Sequence, residues 1–165
     1  RLLGLGYPGG PSIQKAAQEG NPKAFNFPKA KLSEPYNFSF SGLKTAVLRT
    51  VEELKASSKA LPLADLAASF QQAVVATLYE KTMQAAEEFG ARELIVAGGV
   101  SANKALRETF RSQVKYKVHI PHISLCTDNA AMIAAAGYQH FIRKQLDDLS
   151  FDVLPNWPLI ATIEV

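Results

Sequence analysis

The stretch "ELIVAGGVSANKAL", Glu93 to Leu106, decides the fold. Four apolar residues, Leu94 to Ala97, run into Gly98 and Gly99, and a helical pattern opens just after. A short apolar run closed by glycine reads as a buried strand. Downstream, "YKVHIPHISL" (116–125) predicts one or two short strands around Pro121. "CTDNAAMIAAAGYQHFIRKQL" (126–146) then predicts a helix of unusually small residues. Strand–helix–strand–helix in this order is an α/β pattern with parallel strands.

Upstream the texture is helical. Leu63, Leu66, Ala67, Phe70, Val74 and Leu78 share one face and predict a central helix of about 26 residues running toward a C-cap at Gly90. "KASSKALP" (55–62) is a polar linker before it. Ser41 is expected to cap an earlier helix, whose stripe is Leu43, Val47, Val51 and Leu54. In "AFNFPKAKLSEPYNFSFSG" (24–42) Phe25 and Phe27 alternate, as do Tyr36, Phe38 and Phe40, so two short strands of a hairpin-like excursion are expected. "YPGGP" (7–11) reads as a turn, with Ser12 capping a short helix to about Glu19, ended by Gly20 and Pro22. The tail, "SFDVLPNWPLIATIEV" (150–165), reads as irregular or a strand, and no internal repeat is present.

A chain of 165 residues, 47% apolar and 20% charged, suits one domain with a real core and excludes a disordered chain. Cys126 is the single cysteine, so an internal disulfide framework is excluded. No apolar run approaches the roughly 20 residues of a membrane span, and "RLLGLGYPGG" lacks a signal-peptide layout. A soluble, intracellular protein is expected. Residues 1–60 hold 9 Lys/Arg against 4 Asp/Glu, while residues 61–165 hold 9 against 11. That basic first third suits nucleic-acid phosphates or an ordinary lysine-bearing surface.

Several positions suggest chemistry, each with a plain structural alternative. Gly98 and Gly99 leave the strand's carboxyl end bare, so the amides around Ser101 to Asn103 are expected to face open space with a positive helix end, as a phosphate or nucleotide requires. The alternative is a packing turn capped by Ser101. Asn103 could bond a ligand or simply cap. Asp128 is expected at a helix start, as an N-cap or as a metal ligand needing partners. His119 and His122 flank Pro121, with Cys126 and Asp128 close behind; the bend at Pro121 favours loop histidines over a metal site. His140 falls on the last helix. Gly9 and Gly10 suit either a ligand or a simple chain reversal, and Ser39, Ser41 and Lys44 surround Gly42 at a helix start. No Ser-His-Asp set, C-x-x-C pair or H-E-x-x-H motif occurs.

Taken in order, "LLGLGYPGGP", "FSFSGLKTAV", "VAGGVSANKALR" and "LCTDNAAMIAAAG" closely resemble the TsaD family, formerly Gcp or O-sialoglycoprotein endopeptidase. The resemblance covers nearly the whole chain, and the wording is similar to the bacterial or organellar branch. It implies an α/β fold of the actin, hexokinase and heat-shock-chaperone (ASKHA) type, and a cytoplasmic or organellar tRNA-modifying acyltransferase. Its reaction moves threonylcarbamoyl from threonylcarbamoyl-AMP to the adenine next to the anticodon. It implies one iron or zinc ion, an adenylate substrate or ATP, tRNA as partner, and accessory proteins that include a paralogue and an ATPase. Carried over by motif, Asp128 is a metal ligand, Gly10 and Asn103 contact the nucleotide, and Gly98, Gly99 and Ser101 line the same pocket. The family's H-x-x-x-H metal motif does not occur here, and His119 and His122 do not match it.

The chain is therefore expected to be the C-terminal half of such a protein, without the first lobe and inactive alone. Residues 1–62 would form the turn, excursion and first long helix, and residues 63–165 the central helix and strand–helix–strand–helix unit. Lys29, Lys31, Lys44 and Arg49 are expected to meet the tRNA backbone. Competing readings are a non-catalytic interaction or folding module, the metallo-glycoprotease of the older name, and a sugar or acetate kinase relative.

Overall fold

The computed structural model describes residues 2–58, 60–113, 115–150 and 152. All but Ser150 and Asp152 of the tail lies outside them. The helices are α1 (Gly9–Ala17), α2 (Ser41–Ala56), α3 (Leu63–Glu88), α4 (Lys104–Ser112) and α5 (Ala130–Ile142). The strands are β1 (Glu93–Ile95) and β2 (Lys117–His119), and 3-10 turns occupy Gly99–Ala102 and Ile123–Leu125. Arg1–Asp128 and Asn129–Val165 form two compact units. The architecture is helix-rich α/β, and no described helix is long and apolar enough to cross a membrane.

The first unit is organised by α3, which runs 26 residues as its periodicity predicts. Its N-terminal half buries Leu66 and Ala67 against Ala17 of α1, Leu43, Val47 and Val51 of α2, and Phe27. From its midpoint onward it buries Val75 and Ala86 with Leu94 of β1 and Leu106 and Phe110 of α4. The helix ends as expected at Gly90, whose φ of 60° lets the chain turn back. Ala91 N–H then donates to Ala86 carbonyl (2.8 Å) and Gly90 N–H to Glu87 carbonyl (3.3 Å), covering carbonyls that would otherwise be orphaned.

The strands pair in parallel, with Glu93, Leu94 and Ile95 facing Lys117, Val118 and His119. Only three residues of each make the ladder. Glu93 is held by its cross-strand neighbours: Lys117 Nζ lies 3.4 Å from Oε1 and His119 Nε2 lies 2.5 Å from Oε2. These two partners, the histidine first, hold the Glu93 carboxyl below its usual range.

Several local expectations are corrected. The aromatic segment contains no strand. It runs along α3: Asn21 N–H donates to Asp65 Oδ1 (2.7 Å), Phe25 N–H to Ser69 Oγ (3.1 Å), and Lys81 Nζ to Pro35 carbonyl (2.6 Å). Tyr36 reaches Phe89, with ring centroids 5.3 Å apart. From Asp65 to Phe89 a helix rises about 36 Å, and only a largely extended chain covers that with the fifteen steps from Asn21 to Tyr36. Phe25 and Phe27 therefore stack on each other at 6.0 Å, and Phe38 and Phe40 at 6.4 Å, without a partner strand. At the start of this segment Gly20 lies against the backbone of Ala64, leaving no room for a side chain.

Helix starts also shift. α1 begins at Gly9, before Ser12, because Pro11 needs no amide partner in a first turn and Ser12 N–H already donates to Pro8 carbonyl. α2 begins at Ser41 itself, with Phe40 at the cap position and no side-chain cap. In the second unit α5 is capped by Asn129, whose side chain accepts from Met132 N–H at 3.0 Å. Asp128 is thus not the cap.

Candidate functional site

The glycine turn is tighter than the sequence suggests. Gly98 has φ 85° and ψ 171°, a region essentially closed to other residues. The chain then makes a 3-10 turn, Ser101 N–H donating to Gly98 carbonyl (2.9 Å) and Asn103 N–H to Val100 carbonyl (3.0 Å). The amides expected to face open space are spent inside this turn. Ser101 is buried, and its hydroxyl donates to Gly98 carbonyl at 2.7 Å. Ser101 therefore closes the turn, and it does not cap α4.

Asn103 caps α4. Its Oδ1 accepts from Leu106 N–H at 3.0 Å, and its Nδ2 donates to Gln71 Oε1 of α3 at 2.8 Å. Lys104 N–H donates to Gln14 Oε1 of α1 at 2.7 Å. The first turn of α4 is thus covered by Asn103 and by Gln14 of α1, with Gln71 of α3 holding Asn103 in place. Nothing in the sequence marks Gln14 and Gln71, because a glutamine on a helix gives no local sign of the neighbour it will reach. Gly98 and Gly99 themselves are exposed, and no acceptor among the described residues takes their amides.

Gly10 and Asn103, far apart in sequence, come together. Both line a cavity of about 100 Å³ with Ile13, Gln71, Val100 and Leu106. The glycine turn also approaches the loop that carries Asp128: a Cβ on Gly99 would lie 3.9 Å from the Thr127 methyl. Asp128 is exposed at the end of that loop. Four of the five residues singled out for nucleotide contact (Gly98, Gly99, Ser101 and Asn103) thus sit on one turn, and Gly10 faces it.

The metal-ligating types are dispersed. His119 is bound to Glu93, and His122 Nδ1 meets Ser124 Oγ at 2.9 Å and caps a 3-10 turn. Cys126 is buried, and His140 lies on α5 in the second unit. Among the described residues no three His, Cys, Asp or Glu gather to hold a metal ion. The donor set present does not fit an iron or zinc centre by itself, since one exposed carboxylate holds such an ion poorly.

The basic positions differ in availability. Lys29 Nζ is engaged by Glu80 at 2.6 and 2.8 Å. Lys31, Lys44 and Arg49 are exposed.

Residues 1–135 match the protein family described as "TsaD: tRNA N6-adenosine threonylcarbamoyltransferase". Curated proteins of the same name are similar over nearly the whole chain. That of Thermomicrobium roseum is 49% identical, over 98% of this chain and 49% of its own length. That of Fervidobacterium nodosum is 48% identical, over 95% and 48%. That of Thermosipho melanesiensis is 53% identical, over 94% and 47%. The chain spans about half the length of these relatives.

Proposed function

The chain belongs to the tRNA N6-adenosine threonylcarbamoyltransferase family, and on that premise we propose that it supplies the adenylate-holding wall of such a transferase. The substrate is threonylcarbamoyl-AMP and the acceptor is the adenine next to the anticodon of a tRNA. The adenine amine forms a bond to the carbamoyl carbon while the bond from that carbon to phosphate oxygen breaks. AMP leaves with the electron pair, and the amine proton passes to solvent.

The observation that carries this reading is the meeting of Gly10 with Asn103 at one cavity, beside a bare glycine turn, in a chain that matches the family over residues 1–135. Gly98 and Gly99 offer backbone amides and no side-chain bulk, which suits a phosphate ester brought close to the main chain. Ser101 serves by holding the turn, and Asn103 by fixing its junction with α4. The parallel pair and the helices around it are read as part of the second lobe of an actin-, hexokinase- and heat-shock-chaperone-like fold.

Asp128 is assigned one carboxylate of an iron or zinc site whose other ligands are not among the described residues. No step above is routed through that metal. Lys31, Lys44 and Arg49 are assigned to the tRNA backbone, with Lys29 joining only if it leaves Glu80. The accessory paralogue and ATPase are taken as partners of the whole enzyme, in the cytoplasm or an organelle.

The test is transfer itself. A protein carrying this sequence is incubated with threonylcarbamoyl-AMP and tRNA, and the nucleosides are read by mass spectrometry. Modified adenosine should appear, and should fall at least about tenfold with Gly98→Ala, since a misplacement of about 1 Å can cost on the order of a hundredfold. Undiminished transfer by that variant refutes the role given to the turn.

A further inference from the structure

Arg107 is a cation in an unusual place. It is the fourth residue of α4, is 7% exposed, and has no carboxylate partner among the described residues. Its guanidinium meets two backbone carbonyls and a sulfur: Nη1 donates to Ser101 carbonyl (3.0 Å) and reaches Cys126 Sγ (3.5 Å), and Nη2 donates to Pro121 carbonyl (2.7 Å). Arginine stays charged at any pH a protein survives, so the cost of burying it is always present. A leucine or methionine would fill similar space without that cost. Packing is therefore a poor account of why a cation stands here.

Its three contacts share one property. Ser101 belongs to the glycine turn, while Pro121 and Cys126 belong to the loop running from β2 to Asp128. The two loops approach each other at Gly99 and Thr127, and this one side chain bonds to both. Cys126, 3% exposed, sits against the guanidinium and bonds His122 carbonyl at 3.4 Å, so the second loop is folded around the same point. A planar fork with two nitrogens can hold two carbonyls at a set separation, which the single nitrogen of lysine cannot.

We propose that Arg107 is a positioning residue: it fixes the distance between the glycine turn and the Asp128 loop, and so sets the gap into which the adenylate fits. This rests on the adenylate reading above for its functional half. Its structural half, the tie between the loops, stands on the contacts alone. Arg107 is buried behind both loops and acts through them.

Cys126, the one cysteine of the chain, is a native reporter of that tie. Arg107→Lys is compared with wild type and with Val51→Ala, a buried change in the α2 core that touches neither loop. Three quantities are measured on the full chain: melting temperature, the rate at which an aromatic disulfide labels Cys126, and the dissociation constant for AMP. Arg107→Lys should label about tenfold faster and bind AMP about tenfold more weakly, because lysine keeps the charge and loses the fork. Val51→Ala should lower the melting temperature while leaving AMP affinity within about twofold, since uncoupled sites act independently.

Unchanged labelling of Arg107→Lys overturns the tie between the loops. Faster labelling with unchanged AMP affinity overturns the positioning role while leaving the adenylate reading intact. Equal loss of affinity in Val51→Ala and Arg107→Lys also overturns it, because general loosening would then explain both. A wild-type chain that fails to bind AMP at millimolar concentration refutes the adenylate reading and the positioning role together, and the labelling rate still decides the tie.

Discussion

Replacing Asn103 by alanine removes two hydrogen bonds at once. Oδ1 no longer takes Leu106 N–H, and Nδ2 no longer meets Gln71 Oε1. Losing an asparagine cap costs about 1 kcal/mol, and a half-buried amide bond about another 1 kcal/mol. The sum, about 2 kcal/mol, lowers the melting temperature of a chain this size by roughly 4–8 °C. Asn103→Asp separates the two roles. A carboxylate caps as well as an amide and suits a helix N-terminus, and Gln71 can turn its amide to donate, so stability should fall by less than about 1 kcal/mol. The added negative charge, however, lies beside the cavity shared with Gly10 and should repel an adenylate. Calorimetric melting paired with AMP titration reads both effects. Alanine should be the less stable variant, and aspartate should bind AMP more weakly than its stability accounts for. If Asn103→Ala melts with wild type, the capping account is wrong; if Asn103→Asp binds AMP as tightly as wild type, Asn103 does not face the nucleotide.

Three further outcomes test the fold around the site. Gly20→Ala puts a methyl onto the Ala64 carbonyl and 2.7 Å from Asp65 N, both rigid backbone, so a loss of at least about 3 kcal/mol is expected in urea unfolding; a loss under about 1 kcal/mol would mean that α1 and α3 are not so close. Gly98→Ala meets no atom within 4 Å, so its cost is backbone strain alone, about 1–3 kcal/mol, and an unchanged melting temperature would place Gly98 in an ordinary conformation. The depressed Glu93 carboxyl contributes stability above its unfolded value of about 4.3 and loses it as pH falls through the lower folded value. Glu93→Gln should therefore flatten the fall in melting temperature below about pH 4.5, and superimposable acid limbs would show that the ion pairs with His119 and Lys117 add nothing.

The parts legible in the sequence are those whose signal is local and repeated. The stripe Leu66, Phe70, Val74, Leu78 gives α3 and Gly90 gives its end, because burial on one helix face imposes its own period and glycine permits the positive φ of the turn. The apolar run before Gly98 gives a strand followed by a turn and helix, and the parallel pairing follows from the helix between the strands. Alternating phenylalanines predict strands, yet the same alternation arises wherever a chain is extended, and here it is stretched along a helix. Ser12, Ser41, Ser101 and Asp128 each looked like caps. The structure starts the helices one to three residues away, where Pro11 needs no amide partner, Lys44 N–H reaches Phe40 carbonyl, and Asn103 and Asn129 accept from Leu106 and Met132 N–H. At the site, the glycines and Asn103 were visible as a motif. Gln14, Gln71 and Arg107 were not, since their partners lie on other elements and leave no trace in spacing.

The extended segment along α3 has an uneven attachment. Bonds fasten it at Asn21, Phe25, Lys29 and Pro35, while no backbone hydrogen bond holds residues 26–33 among the described residues. Phe27 stays anchored in the core, but Ala30 to Ser33 can open without disturbing the helices beneath, because their release breaks few cooperative contacts. Their amides should exchange with solvent before those of α3, and trypsin should reach the exposed Lys31 while the chain is still folded. A nick there would leave two pieces held together by the shared core of α1, α2 and α3, so the segment behaves as a replaceable cord on a rigid frame.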